Sequence, residues 1–286
     1  MDKIQLKALA KINLGLDVLR RREDGYHEVK MIMQTIGLHD DLEIRKTKTP
    51  GIQVKTNLYY LPTNENNLVY KAAKLLMDEF GIRDGVEIKM KKFIPVAAGM
   101  AGGSSDAAAV LFGVNKMFGL GLSKQELMER GVRLGADVPY CIMAKTALSE
   151  GIGEVLTEVA PLPDCFVVVA KPTISVSTKM VYENLHANEL QHHPDVAGMV
   201  DALKQGDLSG VASRMENVLE TVTTKLYPQI EEIKQTMKES GAENAIMSGS
   251  GPTVFGLYTE KATAEQAAEK IRQQYGLSEV YVTQPC

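Results

Sequence analysis

The sequence predicts an α/β (α+β) fold in two domains, and three observations carry that expectation. The first third of the chain alternates apolar and polar residues with the period of β-strands. A strand then runs through a glycine-rich loop into a helix over residues 86–118, and the last third closes with two short apolar strands, a helix and a final strand. With 286 residues the chain is long enough to bury a core in each of two domains. Pro161 and Pro163 interrupt the pattern and set the expected boundary, giving domains 1–160 and 161–286.

In chain order, strands are expected at 4–9 and 12–18, and again at 29–36, 42–45 and 52–55. Helical spacing follows over 67–80, where Leu68, Ala72, Leu75, Leu76 and Phe80 share one face and Gly81 ends the run. Residues 86–94 read as a strand that leads into the loop, and a helix is expected from Ser105 to Phe118. A second helix over 123–134 ends at Gly135, and Ala136, Asp137, Val138 and Pro139 connect onward. Beyond the strand at 166–170, helices are expected at 196–205, 210–223 and 229–240. Strands at 245–247 and 254–258 flank a second small-residue loop, Ser248 to Thr253, before a helix at 264–275 and a strand at 280–283.

Composition narrows the function. Apolar residues make up 44% and charged residues 24%, which are ordinary globular values. A net charge of -4 and a pI near 5.8 leave no electrostatic footprint for a nucleic acid or an anionic membrane, so neither is an expected partner. Arg20, Arg21 and Arg22 form the one short basic run. Three widely spaced cysteines, Cys141, Cys165 and Cys286, indicate neither a disulfide framework nor a metal site, and a reducing cytoplasm is the expected compartment. The opening residues lack a signal-peptide core, and no uncharged run approaches a membrane span.

The glycine-rich loop is the most informative stretch. Gly99, Gly102 and Gly103 let backbone approach a ligand, Ser104, Ser105 and Asp106 favour a helix start, and an Ala/Val/Leu run continues the helix. A helix opening at such a loop aims N–H groups and the positive end of its dipole at an anion, which suits a phosphate. The same pattern also serves as a plain corner. The chain has no Gly-Lys-Ser/Thr, which excludes a Walker A loop, and the spacing fails the dinucleotide fingerprint.

Four further constellations stand out. Lys11 and Asn13 share a face of an apolar strand, so Lys11 is either an edge residue reaching for water or a functional one. Asp137 in Gly-Ala-Asp-Val-Pro is a turn or cap aspartate or a working carboxylate. Tyr26 and His27 place a ring beside an imidazole after a basic turn, and the loop Ser248 to Thr253 either caps a site or turns a hairpin. His192 and His193 look like a metal pair only superficially, since no carboxylate or cysteine lies at ligand spacing in the sequence.

In their order along the chain, AKINLGLDVL, DGYHEV, the glycine loop, GADVPY and SGSGPTVF resemble the motifs of the GHMP small-molecule kinases. The resemblance spans nearly the whole chain. It implies a two-domain fold, with a left-handed crossover in a β-rich N-terminal domain and a ferredoxin-like C-terminal domain. It also implies ATP as phosphoryl donor, Mg2+ as cofactor, and a small-molecule alcohol carrying a cytidine diphosphate as acceptor. Lys11 and Asp137 are then the catalytic pair. The ATP-binding residues are Pro95, Val96, Ala97, Ala98, Gly99, Met100, Ala101, Gly102, Gly103, Ser104 and Ser105, with Asn66 or Asn67 toward adenine. Ser105 is the implied Mg2+ ligand. Tyr26, His27 and Tyr182 would recognise the base, Tyr182 closing a sandwich with Tyr26, and Asn13 would touch the acceptor.

Two rivals stay open. A GHMP kinase for another alcohol, such as homoserine or mevalonate, leaves Tyr26, His27 and Tyr182 without a purpose. A non-catalytic nucleotide sensor leaves Lys11 with Asp137 unexplained. The sequence departs from the family pattern at Ala97, Ala98 and Ala101, where glycine is frequent. These alanines either adopt ordinary backbone angles or leave the loop strained.

Overall fold

The computed structural model describes all 286 residues. Its first elements are β1 (Lys3–Arg21), β2 (His27–Thr47), β3 (Ile52–Thr56), α1 (Leu68–Glu79), β4 (Gly85–Lys91), α2 (Gly102–Phe118), α3 (Lys124–Val132), α4 (Val138–Met143), β5 (Ala147–Glu150) and β6 (Val155–Glu158). There follow β7 (Phe166–Ala170), α5 (Thr178–Glu183), α6 (Val196–Gln205), α7 (Leu208–Ala212), α8 (Glu220–Leu226), α9 (Gln229–Glu239), β8 (Asn244–Met247), β9 (Val254–Tyr258), α10 (Lys261–Tyr275) and β10 (Val280–Thr283). No helix is long and apolar enough to cross a membrane.

The four early strands expected at 4–9, 12–18, 29–36 and 42–45 are two long ones. β1 runs unbroken because pairing with β2 carries its backbone through the polar interruption at Lys11. Every residue from Ala10 to Val18 is buried, so both faces of β1 are covered and alternation loses its meaning as a boundary signal. β2 likewise passes through Gly37 to Asp41 without a break. The sheet runs β3-β4-β2-β5-β6, with β1 also on β2. β4 lies antiparallel on the second half of β2, where Asp41 faces Lys91, and β5 on the first half, where Ile32 faces Leu148. β3 and β4 are parallel and joined through α1, which is the crossover of this sheet.

The chain forms two compact units. The first comprises Met1–Ala10, Leu38–Val96 and Ala101–Ala144, and the second comprises Lys11–Gly37, Ala97–Met100 and Lys145–Cys286. The stretch 160–164 lies within the second, between β6 and β7.

In the first unit α1 and α2 pack together over β4 and the end of β2. Leu76, Val86, Ile88, Val110, Leu111 and Ile44 are fully buried in one apolar cluster. A glycine in mid-helix costs about 0.5–1 kcal/mol against alanine, and Gly113 is retained because a Cβ there would sit 2.5 Å from Ile44 Cδ1 and 2.9 Å from Leu6 Cδ1. Glycine thus sets how closely α2 approaches the sheet.

In the second unit the antiparallel sheet has the order β10-β7-β9-β8. Taken as strands one to four of this sheet, that is the order 4-1-3-2, with helices between the first and second strands and α10 between the third and fourth. This is the ferredoxin-like arrangement the resemblance implies. The helix expected at 210–223 is instead split into α7 and α8. Between them the backbone is drawn to β1, where Leu16 N–H donates to Glu216 O at 2.9 Å and Val218 N–H to Leu16 O at 3.0 Å. The short elements β5, β6, α4 and α5 were not expected from the sequence.

Candidate active site

The glycine loop enters α2 earlier than its sequence suggests. The helix begins at Gly102, and Ser104 and Ser105 already lie in its first turn. The N-cap is Ala101, in the left-handed region at φ 55°, and no side chain caps the turn. Ala97 is also left-handed at φ 52°, whereas Ala98 is not. Two of the three alanines therefore hold strained backbone, at roughly 1–2 kcal/mol for each non-glycine residue in this conformation. Uncapped N–H groups at a helix start suit an anion that supplies the missing acceptors.

Beneath this turn the first unit buries an ion triad. Lys92 Nζ donates to both Asp40 Oδ2 and Asp106 Oδ2. Asp40 Oδ1 accepts from Phe93 N–H at 2.5 Å and Ile94 N–H at 2.8 Å, which fixes the chain as it enters Pro95. Lys92 Nζ would lie 3.5 Å from a Cβ placed on Gly102, so the ammonium sits directly behind the first helical residue. Burial pushes the Asp106 carboxyl up to about 7, Lys92 pulls it down, and Asp40 adds to the rise. For Lys92 burial works against the charged form, but the carboxylates of Asp106 and Asp40 outweigh it and hold the ammonium above its ordinary value.

In the second unit Lys11 and Asn13 project from the same face of β1. Lys11 is 5% exposed, so it is not an edge lysine reaching for water. Its Nζ donates to Asn13 Oδ1 at 2.8 Å, and Asn13 Nδ2 donates to Met31 Sδ at 3.1 Å. The Lys11 backbone N–H reaches Met100 O at 3.2 Å, tying the strand to the glycine loop.

That loop also meets the second small-residue loop. Ser248 Oγ donates to Gly99 O at 3.0 Å, and a Cβ on Gly99 would lie 2.2 Å from Ser248 O. Gly99 is glycine both for its φ of 73° and for this backbone approach. Asn217 holds the second loop in shape, its Nδ2 donating to Met247 O and Gly249 O, each at 2.8 Å.

The residues expected to recognise the base are also in this unit. His27 opens β2, and its ring centroid lies 5.1 Å from that of Tyr182 on α5. The Tyr182 ring thus partners His27, while Tyr26 is exposed in a turn where its N–H donates to Asp24 Oδ1 at 3.1 Å. Desolvation, helped by the charge of Arg21, lowers the His27 imidazole below its ordinary 6.5, so the ring is neutral at neutral pH.

The remaining expected residues are in the first unit. Asp137 sits at the N-cap position of α4, yet its side chain makes no cap hydrogen bond, which removes the plain capping role. Asn67 uses both ends of its amide locally: Oδ1 accepts from Val69 N–H at 2.9 Å and Nδ2 donates to Pro62 O at 2.7 Å. Its neighbour Asn66 is exposed. Ser105 is buried and its hydroxyl donates to Leu9 O at 2.7 Å, leaving oxygen lone pairs as the only capacity it could offer Mg2+. No group of three His, Cys, Asp or Glu side chains converges as a metal site. Distant carboxylates do reach the histidine doublet, Glu216 to His192 at 2.7 Å and Asp17 to His193 at 2.8 Å, but as separate pairs.

Comparison with known proteins settles the family. The GHMP kinases N terminal domain matches residues 67–145, and the GHMP kinases C terminal domain matches residues 199–277. A 4-diphosphocytidyl-2-C-methyl-D-erythritol kinase of Lachnospira eligens is 53% identical over 99% of both chains. The chain belongs to the GHMP kinase family. A second such kinase, of Lachnoclostridium phytofermentans, is 58% identical over 93% of this chain and 92% of its own. Among solved structures, a 4-(cytidine 5'-diphospho)-2C-methyl-D-erythritol kinase superposes with a TM-score of 0.84 at 32% identity, covering 99% of each chain. A homoserine kinase of Cytophaga hutchinsonii reaches a TM-score of 0.81 at 20% identity, which speaks for the fold alone.

Sequence reasoning about this GHMP kinase missed Asn217, Lys92 and Asp40. Each has a partner 30 or more positions away, as in the bond from Asn217 to Met247 or from Lys92 to Asp40. The one available signal was a lysine, Lys92, three residues before the proline that opens the loop.

Proposed function

We propose that this GHMP kinase transfers the γ-phosphoryl group of ATP to the 2-hydroxyl of 4-diphosphocytidyl-2-C-methyl-D-erythritol, a step of non-mevalonate isoprenoid precursor synthesis. The names of the near-full-length relatives support the acceptor. In the reaction the acceptor oxygen bonds to the γ-phosphorus, the bond from γ-phosphorus to the β,γ-bridging oxygen breaks, and ADP leaves with that electron pair. Asp137 takes the hydroxyl proton. Lys11, buried and oriented by Asn13, balances charge on the transferring group.

Residues Pro95 to Ser105 hold the phosphates through backbone N–H groups, and the uncapped start of α2 supports this role. The adenine contact passes from Asn67, whose amide is used in its cap, to exposed Asn66. Mg2+ would travel with the nucleotide, held mainly by phosphate and water, with Ser105 Oγ as its one protein oxygen. When bound it neutralises phosphate charge. A reducing cytoplasm suits three free cysteines, and burial pushes the Cys165 thiol up to about 12, well away from reactivity.

The observation that carries the acceptor assignment is the ring pair of His27 and Tyr182. A neutral imidazole both donates and accepts, which matches the amino group and ring acceptors on the pairing edge of cytosine. An aromatic ring beside it offers the base a face to stack on. Tyr182→Ala is expected to weaken acceptor binding by about 1–3 kcal/mol, the usual worth of one base stacked on an aromatic ring. Steady-state KM for the cytidine acceptor measures this, and an unchanged KM contradicts the assignment.

A further inference from the structure

The second unit contains an unbroken series of contacts from the glycine loop to the base-recognition rings. At one end Ser248 Oγ donates to Gly99 O at 3.0 Å. Two residues along the same loop, Ser250 Oγ lies 2.7 Å from Thr178 Oγ1, a hydroxyl pair in which either atom can donate. Thr178 is the first residue of α5, and Ser177 caps that helix by accepting Met180 N–H at 3.3 Å. One turn on, the same short helix presents Tyr182 to His27.

The loop in the middle is held on its other side. Asn217 pins the carbonyls of Met247 and Gly249, and Thr223 Oγ1 donates to Ser250 O at 3.4 Å. Ser250 is 7% exposed and Ser248 is fully buried, so neither hydroxyl can turn to water at no cost. A shift of backbone at Gly99 therefore reaches Ser248, moves a loop with little slack, and changes the position of Ser250. The Ser250–Thr178 bond links that loop to α5. Packed interiors transmit such displacements because they have few voids to absorb them.

We infer that Thr178 and Ser250 are positioning residues that couple the two substrate sites, so that nucleotide binding at the glycine loop sets α5 and raises affinity for the cytidine acceptor. This rests on the phosphate and base roles proposed above. The coupling is an equilibrium property and is reciprocal: the acceptor must raise nucleotide affinity by the same factor. It makes no demand on the chemical step. Thr178→Val removes the hydroxyl while keeping the shape of the side chain, and Thr178→Ser keeps the hydroxyl.

The test is titration calorimetry of the cytidine acceptor with and without a saturating non-hydrolysable ATP analogue. It is run on the wild type, Thr178→Val, Thr178→Ser and Ser250→Ala. In the wild type the analogue is expected to tighten acceptor binding on the order of tenfold, within the usual range of coupling between sites. Thr178→Val and Ser250→Ala should each bring that factor to about one, while acceptor affinity without nucleotide stays within about twofold. Thr178→Ser should keep the wild-type factor. Independent binding of both ligands to the wild type overturns the inference, as does full coupling in either hydroxyl-deleted variant. Failure of the wild type to bind either ligand overturns the proposed function, and this inference with it. Ser250→Ala decides the matter alone should Thr178→Val not fold.

Discussion

Asp137 carries two readings that a single substitution separates. It stands where a helix-capping aspartate would stand, and the sequence left both readings open. Its side chain makes no cap bond, and under the proposed function it is the proton acceptor. Replacing it with asparagine preserves size but turns one carboxylate oxygen into an amide donor and removes the proton acceptor. Asp137→Asn should lower kcat by about 10²–10⁴-fold, the usual contribution of a positioned general base, with ATP affinity nearly unchanged. Parallel loss of nucleotide binding and thermal stability would return Asp137 to a structural role. Other single residues were legible to different degrees. Lys11 was visible because a lysine among apolar strand residues is anomalous, whereas the buried Lys92 was not, since its partners Asp40 and Asp106 lie 52 and 14 positions away. The ring contact in the structure is between Tyr182 and His27, and the sandwich of Tyr26 and Tyr182 about the base is part of the proposed acceptor site. His27 opens β2 whereas Tyr26 belongs to the preceding turn, a boundary that the local pattern does not mark.

Among the elements, the glycine loop and α2 carry the most physical content. Their order of strand, loop and helix was legible, because glycine, serine and a run of helix formers are strong local signals. The helix start was not. Alanine is a poor choice for a left-handed N-cap, so Ala101 gave no hint that the first turn begins at Gly102. This strain has a measurable consequence. Ala101→Gly relieves the backbone but adds unfolded-state entropy, and the two effects, each about 1 kcal/mol, should nearly cancel. Ala98 has an ordinary φ and is buried, so Ala98→Gly gains no relief and should destabilise by about 1 kcal/mol. Urea denaturation of the two variants makes the comparison, and equal losses would show that Ala101 is not strained in solution. The long strands were misread as pairs for the opposite reason. β1 and β2 owe their continuity to strand pairing across many residues, which overrides the local interruptions at Lys11 and at Gly37 to Asp41.

At the level of the whole molecule, each compact unit gathers segments that are remote in sequence. The first unit is drawn from three segments and the second from three, so a boundary drawn by one linear cut cannot describe either. The ferredoxin-like order β10-β7-β9-β8 came from the resemblance, since periodicity alone does not order strands in a sheet. The motifs were nevertheless legible in their chain order, and near-complete coverage by relatives at 53% and 58% identity agrees with that reading. The proposed reaction is tested by ADP release from the purified 286-residue chain. With ATP, Mg2+ and 4-diphosphocytidyl-2-C-methyl-D-erythritol, the proposed kinase reaction predicts saturable turnover in the ordinary enzymatic range of about 1–10³ s⁻¹. It predicts no turnover above background with homoserine or mevalonate. A chain that binds the ATP analogue but releases no ADP with the cytidine acceptor would contradict it.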